Sequence, residues 1–593
     1  MTTTQPFITS TKTPPAQWRV QTCVTAADHS IAAACGISPV LAAILRLRGY
    51  DQQDAVSRYL TPDESTLRDP FTLPDIEPAI ARLHQAISTN EPLLIFGDYD
   101  VDGVTSTALL VRSLRLLKAN VHYALPERED GYGLNEHVVR EAAQNGIKLI
   151  FTADCGITAH EPAQLAKSLG VDLIITDHHD PAATLPEALA VIDPKRADSQ
   201  YGFEGLSGCG VAYKVMQALL TKYWPEYVKS FSQKYLDLVG IAAIADCVPL
   251  VDENRYLAAT GLKVLSHTKK KGLLALMAAA KIDLTKQPLA GHHVGFRLGP
   301  RLNAAGRMAS PLKSLHLLLS DDADESASLA TELDELNTAR QDATREIIKS
   351  ACDFVYSSKE WQQHSILVVD GEGWSHGLIG LAASRLVETF YRPAIVLGVE
   401  ESLARGSGRS YADFDLHALI EHTSHLLASG GGHKAACGLS IEPDKINSFR
   451  ELAQQFAKSQ IDPALLAPVV EADCLTEGKD ITPQLVKELE SLEPCGTGNP
   501  EASLMLKGAV LVDGFAMGQQ KQHLKWYVEA DGIRFECVWW NPGKKADGFA
   551  PGQKIDLCYV PQLNQWGYNT TLQLLIKGVR KSFDSESRAP DLR

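Results

Sequence analysis

Three carboxylates stand within five residues in Asp98-Tyr-Asp100-Val-Asp102, directly after the apolar run Leu93-Leu-Ile-Phe96. Charges of one sign held this close repel each other unless a cation lies between them. A hard divalent ion suits the place, because Mg²⁺ and Mn²⁺ prefer oxygen ligands. Alternation along an extended turn would put Asp98, Asp100 and Asp102 on a common side, enough to hold two ions. The competing reading is an acidic turn that caps a helix starting near Val101. The stretch by itself leaves both open. Further acids and imidazoles follow other apolar runs: Asp154 after Leu149–Ala153, Asp177-His178-His179-Asp180 after Leu173–Thr176, and Asp193 after Ala190–Ile192. Asp246 sits late in the nearly apolar helical pattern 235–249, where a carboxylate needs a metal, a lysine or a helix N-terminus as partner.

The elements that must position these groups form an alternating pattern. Short apolar strands at Leu93–Phe96, Val121–Ala124, Lys148–Thr152, Leu173–Thr176 and Ala190–Ile192 are separated by helical periodicity. That predicts a parallel sheet with crossover helices, its ligands at the carboxyl ends of the strands. Residues 76–260 are assigned to this domain. Residues 1–75 read as a helical segment, with a Ser38-Pro39 start and a Gly49 stop around an apolar helix whose role is packing. Residues 261–350 read as a helical connector. Within it Lys269–Lys271 is expected to be a solvated turn, and 321–349 a long helix with an acidic start and a basic end. Gly299–Met308 is expected to be a glycine-flanked loop whose Arg301, Asn303 and Arg307 suit a phosphate or carboxylate.

Residues 351–460 repeat the strand–helix alternation. Two glycine-rich loops are expected there, Arg405–Ser410 and Ser429–Lys434, suited to phosphate through backbone N–H groups with Ser407, Arg409 and His433. Residues 468–580 turn β-rich. Five strands with turns at Asp531-Gly532 and Pro551-Gly552 fit a small barrel of the OB type. Trp526, Trp539, Trp540 and Trp566 lie there among Lys521, Lys525, Lys544 and Lys545, a mixture that suits stacking of single-stranded bases, although each aromatic taken singly reads as core. Residues 581–593 read as a disordered tail.

Composition narrows the class. Eleven cysteines without a Cys-x-x-Cys pair argue against zinc fingers and a disulfide framework. The amino terminus lacks a signal-peptide pattern and no apolar run approaches ~20 residues, so a cytoplasmic protein is expected. A net charge of −15 disfavours nucleic acid if spread evenly, but local basic grooves override such a sum.

Taken together, Asp100-x-Asp102, Asp154, Asp177-His178-His179 and Asp246 resemble the DHH phosphoesterase superfamily. The segments Gly97–Thr107, Arg128–Leu134, Thr152–Gly156, Thr176–His179 and Leu302–Arg307 are similar to its RecJ family of bacterial single-stranded-DNA-specific exonucleases. Ser375–Gly380 and Gly430–His433 are similar to the associated DHHA1 domain. The resemblance implies an α/β chain: a parallel-sheet DHH domain, a long helix, a smaller α/β DHHA1 domain and an OB-like barrel. It implies a two-metal enzyme degrading single-stranded DNA from the 5′ end to mononucleotides with Mn²⁺ or Mg²⁺, in DNA repair and recombination. The implied metal ligands are Asp100, Asp102, Asp154, His178 and Asp246, with Asp177 and His179 in catalytic support. Many relatives carry a histidine where Phe96 stands here, and Asp98 is the expected substitute. Implied contacts to DNA phosphates are Arg128, Arg301, Asn303, Arg307, Ser375, His376, Ser407, Arg409 and His433. Partners implied beside the DNA are a single-strand-binding protein and a RecQ-type helicase, with the chain monomeric. Two rival readings stand beside this one: a DHH oligoribonuclease or other small phosphodiester hydrolase, and a non-catalytic DNA-binding replication scaffold.

Overall fold

The computed structural model describes residues 16–127, 133–285, 288–566 and 569–582. The chain folds into two compact units: Arg19–Glu335 with Glu471–Arg593, and Leu336–Val470 with the first residues to Trp18. Among the described residues no single helix is long and apolar enough to cross a membrane.

The first segment opens on a strand, β1 (Gln17–Cys23), before the helices Ala26–Cys35, Pro39–Leu47 and Gln53–Leu60. The strand lies in residues read as helical: Arg19, Gln21 and Cys23 are exposed on one face, and of Trp18, Val20 and Thr22 on the other only the polar Thr22 is fully buried, so the strand carries no clear apolar alternation. The helices are as the caps dictate. Ser38 Oγ accepts from Leu41 N–H, Pro39 occupies the first turn, and Val40, Leu41, Ile44 and Leu45 are buried.

Five strands follow: β2 (Leu93–Gly97), β3 (Val121–Ala124), β4 (Leu149–Ala153), β5 (Asp172–Thr176) and β6 (Ala190–Ile192). They form one sheet in the order β3-β2-β4-β5-β6, and every pairing is parallel. Strands β2 and β4 are buried on both faces, which is why they read as unbroken apolar runs.

The expected solvated turn at Lys269–Lys271 is corrected. Lys270 is buried, and its ammonium lies 2.7 Å from Asp237 on the apolar helix Val228–Ala245, with Thr268 Oγ1 donating to the same carboxylate at 2.9 Å. A buried acid in that helix selects a lysine, which a run of three lysines does not announce. The loop expected at Gly299–Met308 is a helix, entered through a wide turn of π type at Val294–Leu298. The connecting helix runs from Ala323 to Tyr356.

In the second unit, β7 (Leu367–Glu372), β8 (Ala394–Val399), β9 (Ala404–Arg409), β10 (Leu427–Gly432) and β11 (Ala436–Ile441) form a sheet in the order β10-β11-β9-β8-β7. Only β7 and β8 pair in parallel. Both expected glycine-rich loops are therefore strands, β9 and β10. The glycines are steric: a Cβ on Gly406 would stand 2.6 Å from Leu397 Cδ2, and one on Gly408 2.5 Å from Cys437 Sγ.

The last strands are β12 (Val469–Thr476), β13 (Leu504–Met517), β14 (His523–Ala530), β15 (Ile533–Trp539), β16 (Lys554–Trp566) and β17 (Asn569–Lys581). The order β13-β14-β15-β17-β16 closes through a β13–β16 pairing, with β15 and β17 parallel, giving a five-stranded barrel. Strands β12 and β1 extend its sheet. Trp526 and Trp539 are core, edge to face at 5.4 Å, whereas Trp540 is exposed beside His523. The side chains of Lys544 and Trp566, and the tail from 583, lie outside the described residues. Leu41, Ile44, Val56 and Tyr59 share one core with Leu504, Trp526 and Leu557, so the amino-terminal helices pack on the barrel.

Breaking the Asp237–Lys270 pair from one side leaves a buried charge. Lys270→Met should destabilise the chain by about 3 kcal/mol, read as a lower thermal unfolding midpoint. Adding Asp237→Leu should restore most of the loss. A single variant that melts with the wild type would show the pair to be dispensable.

Candidate metal centre

The site is built where β2, β4 and β5 end. Strand β2 delivers Asp98, and the helix Val101–Leu116 starts at once. This reversal is possible because Gly103 lets the helix rest on the Asp98 backbone, where a Cβ would come within 2.4 Å of the carbonyl oxygen. Asp100 is the N-cap, and its Oδ1 accepts from Asp102 N–H at 2.9 Å and Gly103 N–H at 3.1 Å. The capping reading of this turn therefore holds at Asp100. The expected alternation does not: Asp100 caps, and Asp102 lies buried inside the first helical turn.

Asp102 is held from a direction that sequence reasoning missed. The helix Gly208–Tyr223 points its N-terminus at the carboxylate, Gly208 N–H donating at 2.6 Å and Cys209 N–H at 2.8 Å. The positive end of that helix favours the anion. Gly208 is required twice over, since a Cβ there would stand 2.4 Å from Asp154 Oδ1. The signal was legible as Ser207-Gly-Cys-Gly210, with Ser207 as N-cap. Asp154 itself sits past β4 with φ 65°, a left-handed backbone that a non-glycine residue adopts under constraint. Its N–H donates to Thr176 O, which locks the β4 turn to the end of β5.

Asp177 works behind the front rank. Its Oδ2 accepts from Ile157 N–H at 2.9 Å, and its Oδ1 lies 2.7 Å from both His178 N and His179 Nδ1. It therefore fixes the His179 ring and the backbone that carries His178. His178 Nε2 lies 3.1 Å from Asp154 and 3.7 Å from both Asp102 and Asp246. Asp246 reaches this point from the carboxyl end of the helix Val228–Ala245, where it is the C-cap.

Donor atoms fall into overlapping triads. Asp98, Asp100 and Asp154 form one, Asp102, His178 and Asp246 a second, and Asp154, His178 and His179 a third; within each, the donors lie no more than 4.8 Å apart. The electrostatics are those of anions that outnumber the positive charges beside them, His179 and Lys195. Burial and then the Asp100 charge push Asp102 up to about 7. Burial, Asp102 and Asp100 push Asp246 up to about 8. Asp154 is raised well above the carboxylate range by burial and by Asp102, Asp100, Asp98 and Asp246. Burial and the neighbouring His179 lower His178 to about 4, so its ring is neutral. Burial opposes charge on His179 also, but the Asp177 hydrogen bond and surrounding carboxylates outweigh it and raise His179 to about 9. Asp193, at the end of β6, is raised to about 7 by burial. Oxygen donors in excess with one neutral imidazole nitrogen fit hard divalent cations. Phe96 is wholly buried in β2, and Asp98 takes a place in the first triad.

The expected phosphate contacts divide. Arg128 lies outside the described residues. Arg301 is engaged by Asp334 at 2.7 Å and by Arg297 O, and Asn303 Oδ1 accepts from Val101 N–H at 3.0 Å. Asn303 thus holds the metal-side turn from behind. Gly306 does the same by closeness, since a Cβ there would meet Tyr99 O at 2.8 Å. Arg307 follows in the same helix. In the second unit, Ser375 and His376 begin the helix His376–Phe390. One turn on, Gly380 lets that helix approach β9, its Cβ position lying 3.0 Å from Ser407 Oγ and 3.1 Å from Arg409 Nη2. Arg409 Nη1 donates to Ser407 Oγ at 3.1 Å. No carboxylate pairs with Arg409 among the described residues, and burial lowers its pKa. His433 lies exposed on the β10–β11 turn, whose Ala436 pairs with Arg409, so both stand at one end of the sheet.

Comparison with known proteins agrees with this layout. Residues 92–243 match the DHH family, N-terminal domain; 363–459 match the DHHA1 domain; 472–578 match the RecJ OB domain. The single-stranded-DNA-specific exonuclease RecJ of Bacillus subtilis is 36% identical over 95% of this chain and 71% of its own length. That of Escherichia coli is 34% identical over 86% of this chain and 90% of its own. The crystal structure of RecJ from Thermus thermophilus in complex with Mn²⁺ superposes with a TM-score of 0.82 at 28% identity, covering 96% of this chain and 80% of that one. A RecJ exonuclease bound to manganese matches 66% of this chain and 96% of its own, with a TM-score of 0.58 and 32% identity. In sequence, in domain order and in fold, the chain belongs to the RecJ family of single-stranded-DNA-specific exonucleases.

Proposed function

We propose that this chain degrades single-stranded DNA from its 5′ end to mononucleotides, using two Mn²⁺ or Mg²⁺ ions. The observation that carries the reading is the pair of donor triads Asp98/Asp100/Asp154 and Asp102/His178/Asp246 at the ends of parallel strands. Asp154, in the first triad and 3.1 Å from His178 of the second, would help to hold either ion. Two bound cations would neutralise the phosphodiester, activate a water near neutral pH and stabilise the leaving oxygen. The residues of the chain do the rest. His178 offers a neutral nitrogen because burial keeps its proton off. Asp177 orients His179 through Nδ1, leaving Nε2 of an imidazolium, partly exposed, to hold a proton for the leaving oxygen. Gly208 and Cys209 N–H fix Asp102, and Asn303 fixes the turn that bears Asp98 and Asp100.

Phosphate binding is assigned to Ser375, His376, Ser407, Arg409 and His433 in the second unit, with Arg128 and Arg307 as further cations. Arg301 and Asn303 act as positioning residues, given their bonds to Asp334 and Val101. Exposed Phe515 and Trp540 give the barrel faces on which bases stack. A single-strand-binding protein and a helicase are the protein partners of this reading, docked on the acidic surface that a net charge of −15 leaves outside the basic sites.

The test is digestion of a 3′-labelled, 5′-phosphorylated single strand with Mn²⁺. Wild type should shorten it stepwise from the 5′ end, and Asp102→Ala should be slower by more than about a hundredfold, the upper range for losing a mere supporting residue of a metal ligand. Binding without cleavage would favour the scaffold reading. Cleavage of dinucleotides alone would favour the small-substrate reading.

The pKa pattern gives a second expectation. Between pH 6.5 and about 8 the metal-free folded chain binds more protons than the unfolded chain, through Asp102, Asp246 and His179. Metal-free stability should therefore fall as pH rises through that window. His178, lowered to about 4, opposes this only below pH 6.5. Saturating Mn²⁺, which needs the deprotonated ligands, should reverse the trend. Scanning fluorimetry in EDTA and in Mn²⁺ reads both slopes, and equal slopes would contradict the assignment.

A further inference from the structure

The helix Ala323–Tyr356 keeps one face buried along its carboxyl half. Ile347, Ala351 and Val355 on that face join a core with Leu367, Leu378 and Ala382. Continuing the same face upstream at three- and four-residue spacing gives Thr344, Arg340 and Asn337. The face stays shielded, but its chemistry changes from apolar to polar. Asn337 is only 2% exposed. Asn337 Oδ1, Arg340 Nε and Thr344 Oγ1 are all out of solvent, and none has a hydrogen-bond partner among the described residues.

Arg340 stands apart from the other shielded cations. Lys270 faces Asp237, Lys214 faces Glu253, and Arg255 donates to the backbone carbonyls of Tyr59, Ser491 and Leu492. Arg340 has no carboxylate beside it among the described residues, and burial without an opposing charge lowers its pKa. Buried polar groups are almost always satisfied, and a set left open calls for a cause. Packing is not the cause, because an aliphatic residue would continue the stripe without the penalty of an unpaired charge. A cation is excluded as occupant, since the set holds no acid. The Arg340 N–H and the Thr344 hydroxyl can both donate, and a guanidinium beside a hydroxyl matches an oxyanion with several acceptor oxygens; Asn337 Oδ1 is an acceptor and takes no part.

We propose that Arg340 and Thr344 form a phosphodiester-binding site for the DNA strand, separate from the Ser407–Arg409 group. The site rests on the single-strand reading above. Arg340, shielded at Nε but only partly buried as a residue, grips the phosphate with its guanidinium, and the Thr344 hydroxyl completes the contact.

The test is equilibrium binding of a fluorescent, 5′-phosphorylated oligothymidylate in EDTA, by anisotropy, over a range of salt. Arg340→Leu should bind about tenfold more weakly at low salt, and the slope of log affinity against log salt should shrink by about 0.7, the share of one phosphate contact on a single strand. Its melting temperature should equal or exceed that of wild type. Arg340→Lys should keep the slope. Should Arg340→Leu fail to fold, Thr344→Val serves, with a two- to fivefold loss of affinity expected. Wild-type affinity and slope in the folded leucine variant, or wild-type affinity in Thr344→Val when that variant serves, overturn the site alone. Wild-type protein that binds no strand overturns the substrate reading and this site with it.

Discussion

Mutual repulsion among buried carboxylates is the constraint around which the first unit is arranged. Asp98, Asp100, Asp102, Asp154 and Asp246 converge on the space in front of His178. No helix or strand would hold them there by its own propensity. Four of them are fixed instead by a backbone device: a cap at Asp100, a helix N-terminus at Asp102, a left-handed turn at Asp154, a helix end at Asp246. Glycine recurs at these places because only a missing Cβ lets backbone come so near. The folded state stores this unfavourable charge density in preparation for cations, and local stability is exchanged for affinity.

The same logic separates residues that face a reacting group from those that stand behind them. Asp177, expected in catalytic support, and Asn303, expected at a phosphate, each bond backbone or ring nitrogen of a neighbour. Holding a turn is the more exacting role, since displacement by an ångström separates the two donor triads.

Much of this architecture was legible in the chain itself. Strand β2 and its polar turn, the order of strand ends bearing Asp154 and His178, and the five barrel strands follow from periodicity and turn residues. The sheet ends bring together residues that sequence separates by up to 148 positions, Asp98 and Asp246, and only the family resemblance joined them beforehand. What escaped was local contact between distant segments. Lys270 looked solvated because its partner, Asp237, is thirty-three residues away. Ser407 and Arg409 looked like a loop because glycine usually marks one, whereas here it admits Leu397, Leu439 and Cys437 side chains against a strand. Strand β1 was invisible because most of its residues stay partly exposed and its place is set by β12, more than four hundred residues away.

The shared core of Leu41, Ile44 and Tyr59 with Leu504, Trp526 and Leu557 has a temporal side. The amino-terminal helices leave the ribosome well before their barrel partners, which lie more than four hundred residues further along the chain. At ordinary synthesis speeds of ~5–20 residues per second, an apolar helix face waits on the order of half a minute or more for its counterpart. The parallel sheet can form meanwhile, since its strands lie close together in the chain. Nascent chains of this protein thus carry an unsatisfied sticky surface until the barrel strands emerge. The barrel is the piece that retires it.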